Sequence, residues 1–250
     1  MTGAGTSARE DSFEHGYYER QYGARRWRKR GDRPLLFRSL LRQLRPWYGG
    51  RLVDVGCGEG QFLRRASRRF EAHGVDISVE GVELARSATG LDTIQVASAV
   101  ELPFPDEFTS VVTCLDVLEH LEHPEVALRE FARVLRPGGA LVISTPNPAS
   151  LGHRIKGKQS HIYRDRTHIS VQPAAAWRDS LRTSGFEVVH DGTDTLWDTP
   201  YFRRFPARIQ WVVFVALAQL MWAARPMYPW SLGENYVCLA RKLRRVRLGS

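Results

Sequence analysis

The sequence is poor in residues that build covalent or metal cross-links. It has three cysteines in 250 residues, Cys57, Cys114 and Cys238, and no Cys-x-x-Cys pair. That odd count and spacing exclude a disulfide framework and a cysteine-type structural zinc site, and point to buried thiols in a reducing compartment. Long apolar runs are also scarce. The candidate, Ile209 to Ala224, is 16 residues long and includes Gln210 and Gln219, short of the roughly 20 that a bilayer-crossing helix needs. The first residues lack an apolar h-region, so no signal peptide is expected and the expected location is cytoplasmic. Internal repeats and low-complexity blocks are missing as well. What remains is 43% hydrophobic and 25% charged, the make-up of an ordinary globular protein. The length favours one domain with additions over two domains.

Acidic residues are outnumbered: 36 Lys+Arg against 27 Asp+Glu leave a formal charge of +9. Much of the excess is terminal, in Arg25, Arg26, Arg28, Lys29, Arg30 and Arg33 at the start and Arg241, Lys242, Arg244, Arg245 and Arg247 at the end. Such runs can meet nucleic acid, an anionic membrane or an acidic substrate. No nucleic-acid-binding module accompanies them, so a nucleic-acid partner is not favoured.

From Arg51 to Thr145 short apolar runs alternate with stretches of helical spacing. Strands are expected at 52–55, 72–76, 93–97, 108–115 and 140–144, with helices from the glycine turn to about Phe70, at 79–88 and at 124–135. Residues 146–170 look like an active-site loop; a helix over 173–183 and strands at 185–189 and 235–240 follow. Alternating βα units imply parallel strands with right-handed crossovers. The expected fold is α/β: a doubly wound, seven-stranded, mostly parallel sheet with ligands at the C-terminal ends of its strands.

The segment Val53-Asp54-Val55-Gly56-Cys57-Gly58-Glu59-Gly60 carries glycine at every second position between a strand and a helix. Missing Cβ atoms let the backbone turn tightly and a ligand approach. A dinucleotide loop of the form G-x-G-x-x-G needs glycine at position 61, where this chain has Gln61. The spacing therefore disfavours a pyrophosphate cradle and a dinucleotide oxidoreductase. Asp76 ends the second strand in Gly74-Val75-Asp76-Ile77-Ser78. A carboxylate there can accept from both ribose hydroxyls, or cap the helix that follows.

These motifs, with Glu-Leu-Pro-Phe-Pro at 101–105, Asp-Val-Leu-Glu-His-Leu at 116–121 and Val-Leu-Arg-Pro-Gly-Gly at 134–139, resemble class I S-adenosylmethionine-dependent methyltransferases. The runs Val112 to His120 and Ile143-Ser144-Thr145-Pro146-Asn147 are most similar to the branch containing the ubiquinone-biosynthesis O-methyltransferases. The resemblance spans roughly residues 50–190 plus the last strand. It implies S-adenosylmethionine as cofactor, with Gly56, Gly58 and Gly60 along its methionine part and Asp54 helping to position it. Asp76 would hold the ribose, Ile77 would pack on the adenine, Ser98 and Ala99 would flank the adenine edge, and Leu115 would sit by the methionine end. Many relatives have Asp at the Ser98 position; serine can accept from the adenine amine without charge assistance.

A hydroxyl acceptor needs its proton removed, a task that suits histidine near neutrality. His120, just past the fourth strand, and His168, in the following loop, are the candidate bases; His161 and Tyr163 are weaker candidates for substrate contact. Asp116, Glu119 and His120 would share a face if they lay in one helical turn, and are the alternative metal-ligand set beside a leading expectation of no metal.

Arg203, Arg204, Arg208 and Arg225 flank the apolar run, with Trp211 and Trp222 near its ends. This pattern fits an interfacial helix at the inner face of a membrane or a lid over a lipid-like substrate; a buried helix or a homodimer interface explains it equally well. The expected organisation is a helical N-terminal extension or lid (1–45), a core (46–192 and 233–243), an apolar insertion (193–232) and a basic tail (244–250). The expected activity is O-methylation of a small-molecule, lipid-like or glycan acceptor. The alternatives are N- or C-methylation, nucleic-acid methylation and a non-catalytic cofactor-binding module.

Overall fold

A computed structural model of the chain describes residues 33–202, 204–224 and 232–244. The basic run from Arg25 to Arg30, together with Arg203, Arg225, Arg245 and Arg247, lies outside them.

The first described helix, α1 (Arg33–Gln43), buries Leu36, Phe37 and Leu40 on one face. A short 3-10 turn (Arg45–Trp47) follows, and Trp47 donates its Nε1–H to the Gly138 carbonyl at 3.1 Å. These side chains join the same apolar cluster as Leu52, Val111 and Ala140. This part of the N-terminal extension is thus packed onto the sheet.

The alternating region runs β1 (Arg51–Val55), α2 (Leu63–Ala66), β2 (Glu71–Asp76), α3 (Val79–Thr89), β3 (Ile94–Val96), β4 (Thr109–Leu115), a 3-10 turn (Leu118–His120), α4 (Pro124–Val134) and β5 (Leu135–Pro146). Then come α5 (Leu151–Lys156), α6 (His161–Arg164), α7 (Ala174–Thr183), β6 (Phe186–Thr193), α8 (Ala207–Ala224) and β7 (Asn235–Lys242). The strands form one seven-stranded sheet in the order β3-β2-β1-β4-β5-β7-β6. β1 to β5 pair in parallel, and β7 runs antiparallel to both its neighbours. The expected doubly wound, mostly parallel sheet is present.

Central strands read as continuous apolar runs because helices cover both faces. One face packs on α1, α2 and α3 through Leu40, Leu63, Val82 and Ala85. The other packs on α4 and α7 through Leu128, Phe131, Trp177 and Leu181. Local signals set the helix ends. Ser78 Oγ accepts from the Gly81 amide at 3.2 Å to start α3, and Gly90, at φ 72°, ends it in a left-handed cap.

Three boundaries differ from the sequence expectation. The helix expected to reach Phe70 is the four-residue α2, because the chain must return to the start of β2 within a few residues; Phe70 is buried all the same. β5 begins at Leu135, which pairs with Thr109 of β4; Arg136 to Gly139 form an irregularity in the strand, and pairing resumes at Ala140 opposite Val111. The 146–170 segment contains α5, whose first turn is capped by Ser150 Oγ accepting from the His153 amide at 3.0 Å, and α6. Both helices are too short to show a periodic pattern.

Candidate cofactor and acceptor site

Because β1 to β4 are parallel, their C-terminal ends lie along one edge of the sheet. The strand order reverses between β1 and β4, which opens a crevice at that edge. The glycine loop leaves β1 with Gly56, Gly58 and Gly60 at φ 69°, 51° and 74°. A Cβ at Gly56 would also run into Val117. Only glycine adopts this path without strain. The Gly56 and Cys57 amides donate to the Val75 carbonyl at 2.8 and 3.0 Å, fastening the loop to β2.

Asp76 meets the loop directly. Its Oδ2 accepts from the Gly58 amide at 2.8 Å and its Oδ1 from the Ser78 amide at 3.0 Å. Ile77, half-buried, follows it, and the Ala97 amide donates to the Asp76 carbonyl at 3.0 Å. That last bond brings Ser98 and Ala99, just past β3, to the same edge. Ser98 is half-buried and Ala99 buried. Leu115, half-buried, ends β4. A carboxylate backed by backbone amides, next to a loop without Cβ atoms and to small apolar side chains, has the chemistry to hold a ribose and its base. The residues fit S-adenosylmethionine.

Asp54 lies within β1, nearly fully buried, and accepts from Thr113 Oγ1 at 2.6 Å. Burial pushes its carboxyl up to about 7; the Thr113 hydrogen bond opposes the rise and the nearby Asp76 charge adds to it.

The two candidate bases are neighbours. The His120 and His168 rings are 4.9 Å apart, centroid to centroid. His120 Nδ1 is 3.2 Å from the Thr167 carbonyl, and His168 Nδ1 is 2.8 Å from the Ile162 carbonyl. A carbonyl only accepts, so each Nδ1 carries the proton and each basic lone pair sits on Nε2. Burial, then the neighbouring His168, lowers the His120 pKa to about 4, so His120 is neutral at pH 7.

The alternative metal set offered by the sequence, Asp116, Glu119 and His120, does not come together on a helical face. Residues 118–120 form a 3-10 turn, and Asp116 precedes it with φ 60°. Asp116 Oδ1 accepts from Ser144 Oγ at 2.9 Å and Asn235 Nδ2 at 2.8 Å, which ties it to β5 and β7. The α-helical face that would have aligned Asp116 with Glu119 and His120 is not formed. Glu119, His120 and His168 instead bring one donor atom each within 4.8 Å of one another, a spacing compatible with an ion.

The family described as methyltransferase domain matches residues 24–191. The chain belongs to the class I S-adenosylmethionine-dependent methyltransferases. It is 34% identical over 177 residues to the O-methyltransferase cnsE of Penicillium expansum, covering 66% of this chain and 60% of that protein. It is 33% identical over 159 residues to the ubiquinone biosynthesis O-methyltransferase of Xanthomonas campestris pv. campestris, covering 56% of this chain and 64% of that protein. The methyltransferase thus spans about three fifths of the length of these curated relatives. A solved S-adenosylmethionine-dependent methyltransferase from Archaeoglobus fulgidus shares the fold, with a TM-score of 0.60 at 22% identity over 90% of this chain and 98% of that one.

Sequence reasoning missed part of the methyltransferase's polar interior. His161 turns into a buried cluster with its Nδ1 3.5 Å from Glu234 Oε2 and 3.7 Å from Asp198 Oδ2. Tyr201 donates its hydroxyl to Glu234, and Lys156 and Arg164 pair with Asp198. Burial raises the Glu234 carboxyl to about 7. Burial pushes Asp198 upward as well, but His161, Arg164 and Lys156 outweigh it and hold that carboxyl at about 2. The participants come from four separate segments, and no local motif announces them. Tyr163, the other weak candidate, is exposed.

Asp76→Ala removes the acceptor of two backbone amides and of the expected ribose contact. It should weaken S-adenosylmethionine binding roughly 10- to 100-fold, read by titration calorimetry; unchanged affinity contradicts the ribose role. Asp54 gives a stability signature in the ligand-free protein. Its carboxyl titrates near 3.8 when unfolded and about 7 when folded, so between those values the folded chain holds the extra proton. Its contribution to stability therefore declines as pH rises through that window. Asp54→Asn should flatten the fall, measured as urea midpoints at pH 5 and 7.5.

Proposed function

We propose that this methyltransferase carries a methyl group from S-adenosylmethionine to an oxygen of a small-molecule or lipid-like acceptor, with His120 or His168 taking the acceptor's proton. The observation that carries this reading is the pair of histidines beside the end of β4, each with Nδ1 held by a carbonyl. Nε2 is then the basic nitrogen on both rings. The two O-methyltransferase relatives support oxygen over nitrogen or carbon.

The cofactor, when bound, supplies an already activated methyl group on a sulfonium. The protein's tasks are to align the acceptor, exclude water and accept one proton. Asp76 would hold the ribose hydroxyls, with Ile77, Ser98 and Ala99 around the adenine. Gly56, Gly58 and Gly60 would line the methionine part, helped by Asp54 and Leu115. Burial and the neighbouring His168 disfavour a proton on His120, so His120 stands neutral at pH 7, with Nε2 able to accept.

A second reading concerns where the acceptor is met: we propose peripheral contact with an anionic lipid surface. The supporting observation is a stripe of exposed residues on α8, Ile209, Val212, Val213, Ala216 and Leu217, at helical spacing. Phe202, Phe205, Arg204 and Arg208 extend it, all exposed. On the inward side Gln210 is buried and Phe214 packs edge-on against Tyr201 at 5.1 Å. An outward apolar stripe edged by arginines suits an interfacial helix. Among the described residues no helix is long and apolar enough to cross a membrane.

In extracts incubated with the cofactor, mass spectrometry should reveal a product about 14 mass units above an acceptor of the chain, a shift that an isotope-labelled methyl group raises by the mass of the label. His→Gln at the true base should then lower kcat by roughly 10²- to 10⁴-fold; near-normal turnover in both His120→Gln and His168→Gln would leave alignment alone. For the lipid contact, the protein should float with phosphatidylcholine vesicles that contain phosphatidylglycerol, and Val213→Glu should keep it in the dense fraction. Sedimentation of the unmodified chain away from these vesicles, or a doubled mass that Val213→Glu halves, would replace the lipid reading with none or with a dimer.

A further inference from the structure

The base pair of histidines is met by a third group that the motif reading did not single out. Asp165 lies between them in the Asp165-Arg166-Thr167-His168 run. Its Oδ1 accepts from the Thr167 amide at 2.9 Å and from the Thr167 hydroxyl at 2.5 Å. Its Oδ2 is 3.8 Å from His168 Nε2. Thr167 Oγ1 is in turn 2.9 Å from His120 Nδ1.

The proton count along this chain gives it a direction. A threonine hydroxyl has one proton, and here it points to Asp165. Toward His120 the same oxygen therefore offers only lone pairs, as does the Thr167 carbonyl. Both neighbours of Nδ1 are acceptors, and Nδ1 must carry the ring proton. Burial opposes ionisation of Asp165, but the Thr167 hydrogen bonds and the two histidines outweigh it and keep that carboxyl below its ordinary range.

We infer that Asp165 and Thr167 are positioning residues, acting through hydrogen bonds to His120 Nδ1 so that His120 Nε2 is the nitrogen that receives the acceptor's proton. The inference rests on the O-methylation reading and selects between its two candidate bases. In the proton transfer the acceptor O–H bond breaks, its electron pair stays on the acceptor oxygen, and the proton binds Nε2. The resulting imidazolium donates through Nδ1 to Thr167, whose hydroxyl ends on the Asp165 carboxylate. The positive charge is thus matched by a negative one two hydrogen bonds away. This follows the general pattern of a base oriented by a third group.

The structural alternative is that Asp165 and Thr167 only shape their turn. Thr167→Val separates the two, since it keeps the amide bond to Asp165 and the branched shape while deleting the hydroxyl link. Thr167→Ser restores the link. The first readout needs no acceptor: ring ¹⁵N–¹H long-range spectra of the full chain labelled in histidine. His120 should show the Nδ1–H tautomer in the unmodified protein and in Thr167→Ser; in Thr167→Val only the longer 3.2 Å contact to the residue-167 carbonyl is left to hold that proton, and a mixture with Nε2–H should appear. An Nε2–H pattern in the unmodified protein, or a Thr167→Val spectrum identical to it, would overturn the inference.

The second readout uses catechol as acceptor probe. Thr167→Val should lower kcat about tenfold with KM for cofactor and catechol unchanged, and Thr167→Ser should recover it. A KM effect alone, or a kcat loss that serine leaves unrepaired, also overturns it. Calorimetry with S-adenosylmethionine keeps the two failures apart. A chain with the expected tautomer pattern that binds no cofactor supports the orientation of His120 and sinks the methyl-transfer reading instead.

Discussion

The hydrogen bond from the Gly58 amide to Asp76 Oδ2 joins the ends of two neighbouring parallel strands, and the crevice is arranged around it. It exists because β1 and β2 pair in the register that sets Val55 against Val75. A one-residue slip would turn Asp76 to the opposite face of the sheet. The pairing of β1 with β4 sets Asp54 against Thr113, and the Thr113 hydroxyl bonds that carboxyl. Two acidic side chains thus share one edge, with Asp54 held near its neutral form by burial and by Asp76. A positively charged ligand in this crevice would lower the cost of ionising Asp54. A sulfonium nucleoside carries that sign of charge.

The acceptor side is put together differently. The proposed cofactor side uses residues 54–115, contiguous in the alternating region. The proposed acceptor side, at His120 and His168, draws on the 3-10 turn after β4 and the 150–170 segment, to which the 194–202 segment and the start of β7 are fastened. Two polar links fasten these pieces. Asp116 binds Ser144 and Asn235, which fixes the exit of β4 to β5 and β7. Glu234, Tyr201, His161, Asp198, Lys156 and Arg164 bind the later segments together. The carboxylates of the second link are buried and paired, Asp198 with Lys156 and Arg164 and Glu234 with the Tyr201 hydroxyl, as ionic groups in a core must be. Acceptor geometry can therefore vary with those segments while the cofactor edge stays as it is.

How much of this was legible in the sequence follows from the range of the interactions involved. The strands, the longer helices and the meeting of the glycine loop with Asp76 were readable because each depends on local signals, apolar runs and glycines at alternate positions; the cap of α3 is Ser78, where the sequence had offered Asp76. His120 and His168 were recognisable as candidates, but their contact joins the exit of β4 to a segment some fifty residues later. Helical periodicity placed Asp116 beside Glu119 and His120, and the prediction failed because a positive φ at Asp116 and a 3-10 turn replace the α-helix there. Glu234 and Asp198 carried no signal at all. Asp165 and Thr167 were not singled out, because their link to His120 appears only in three dimensions.

The seventh strand settles between the fifth and the sixth, and β6 has β7 as its partner in the sheet. During synthesis β6 leaves the ribosome before the strand that will bridge it to β5. Until β7 arrives, its hydrogen-bonding edges have nothing native to pair with. Glu234 and Asn235, which fasten the acceptor side, arrive with that same strand. The edge proposed to hold the cofactor can thus take shape on the nascent chain well ahead of the segments proposed to receive the acceptor.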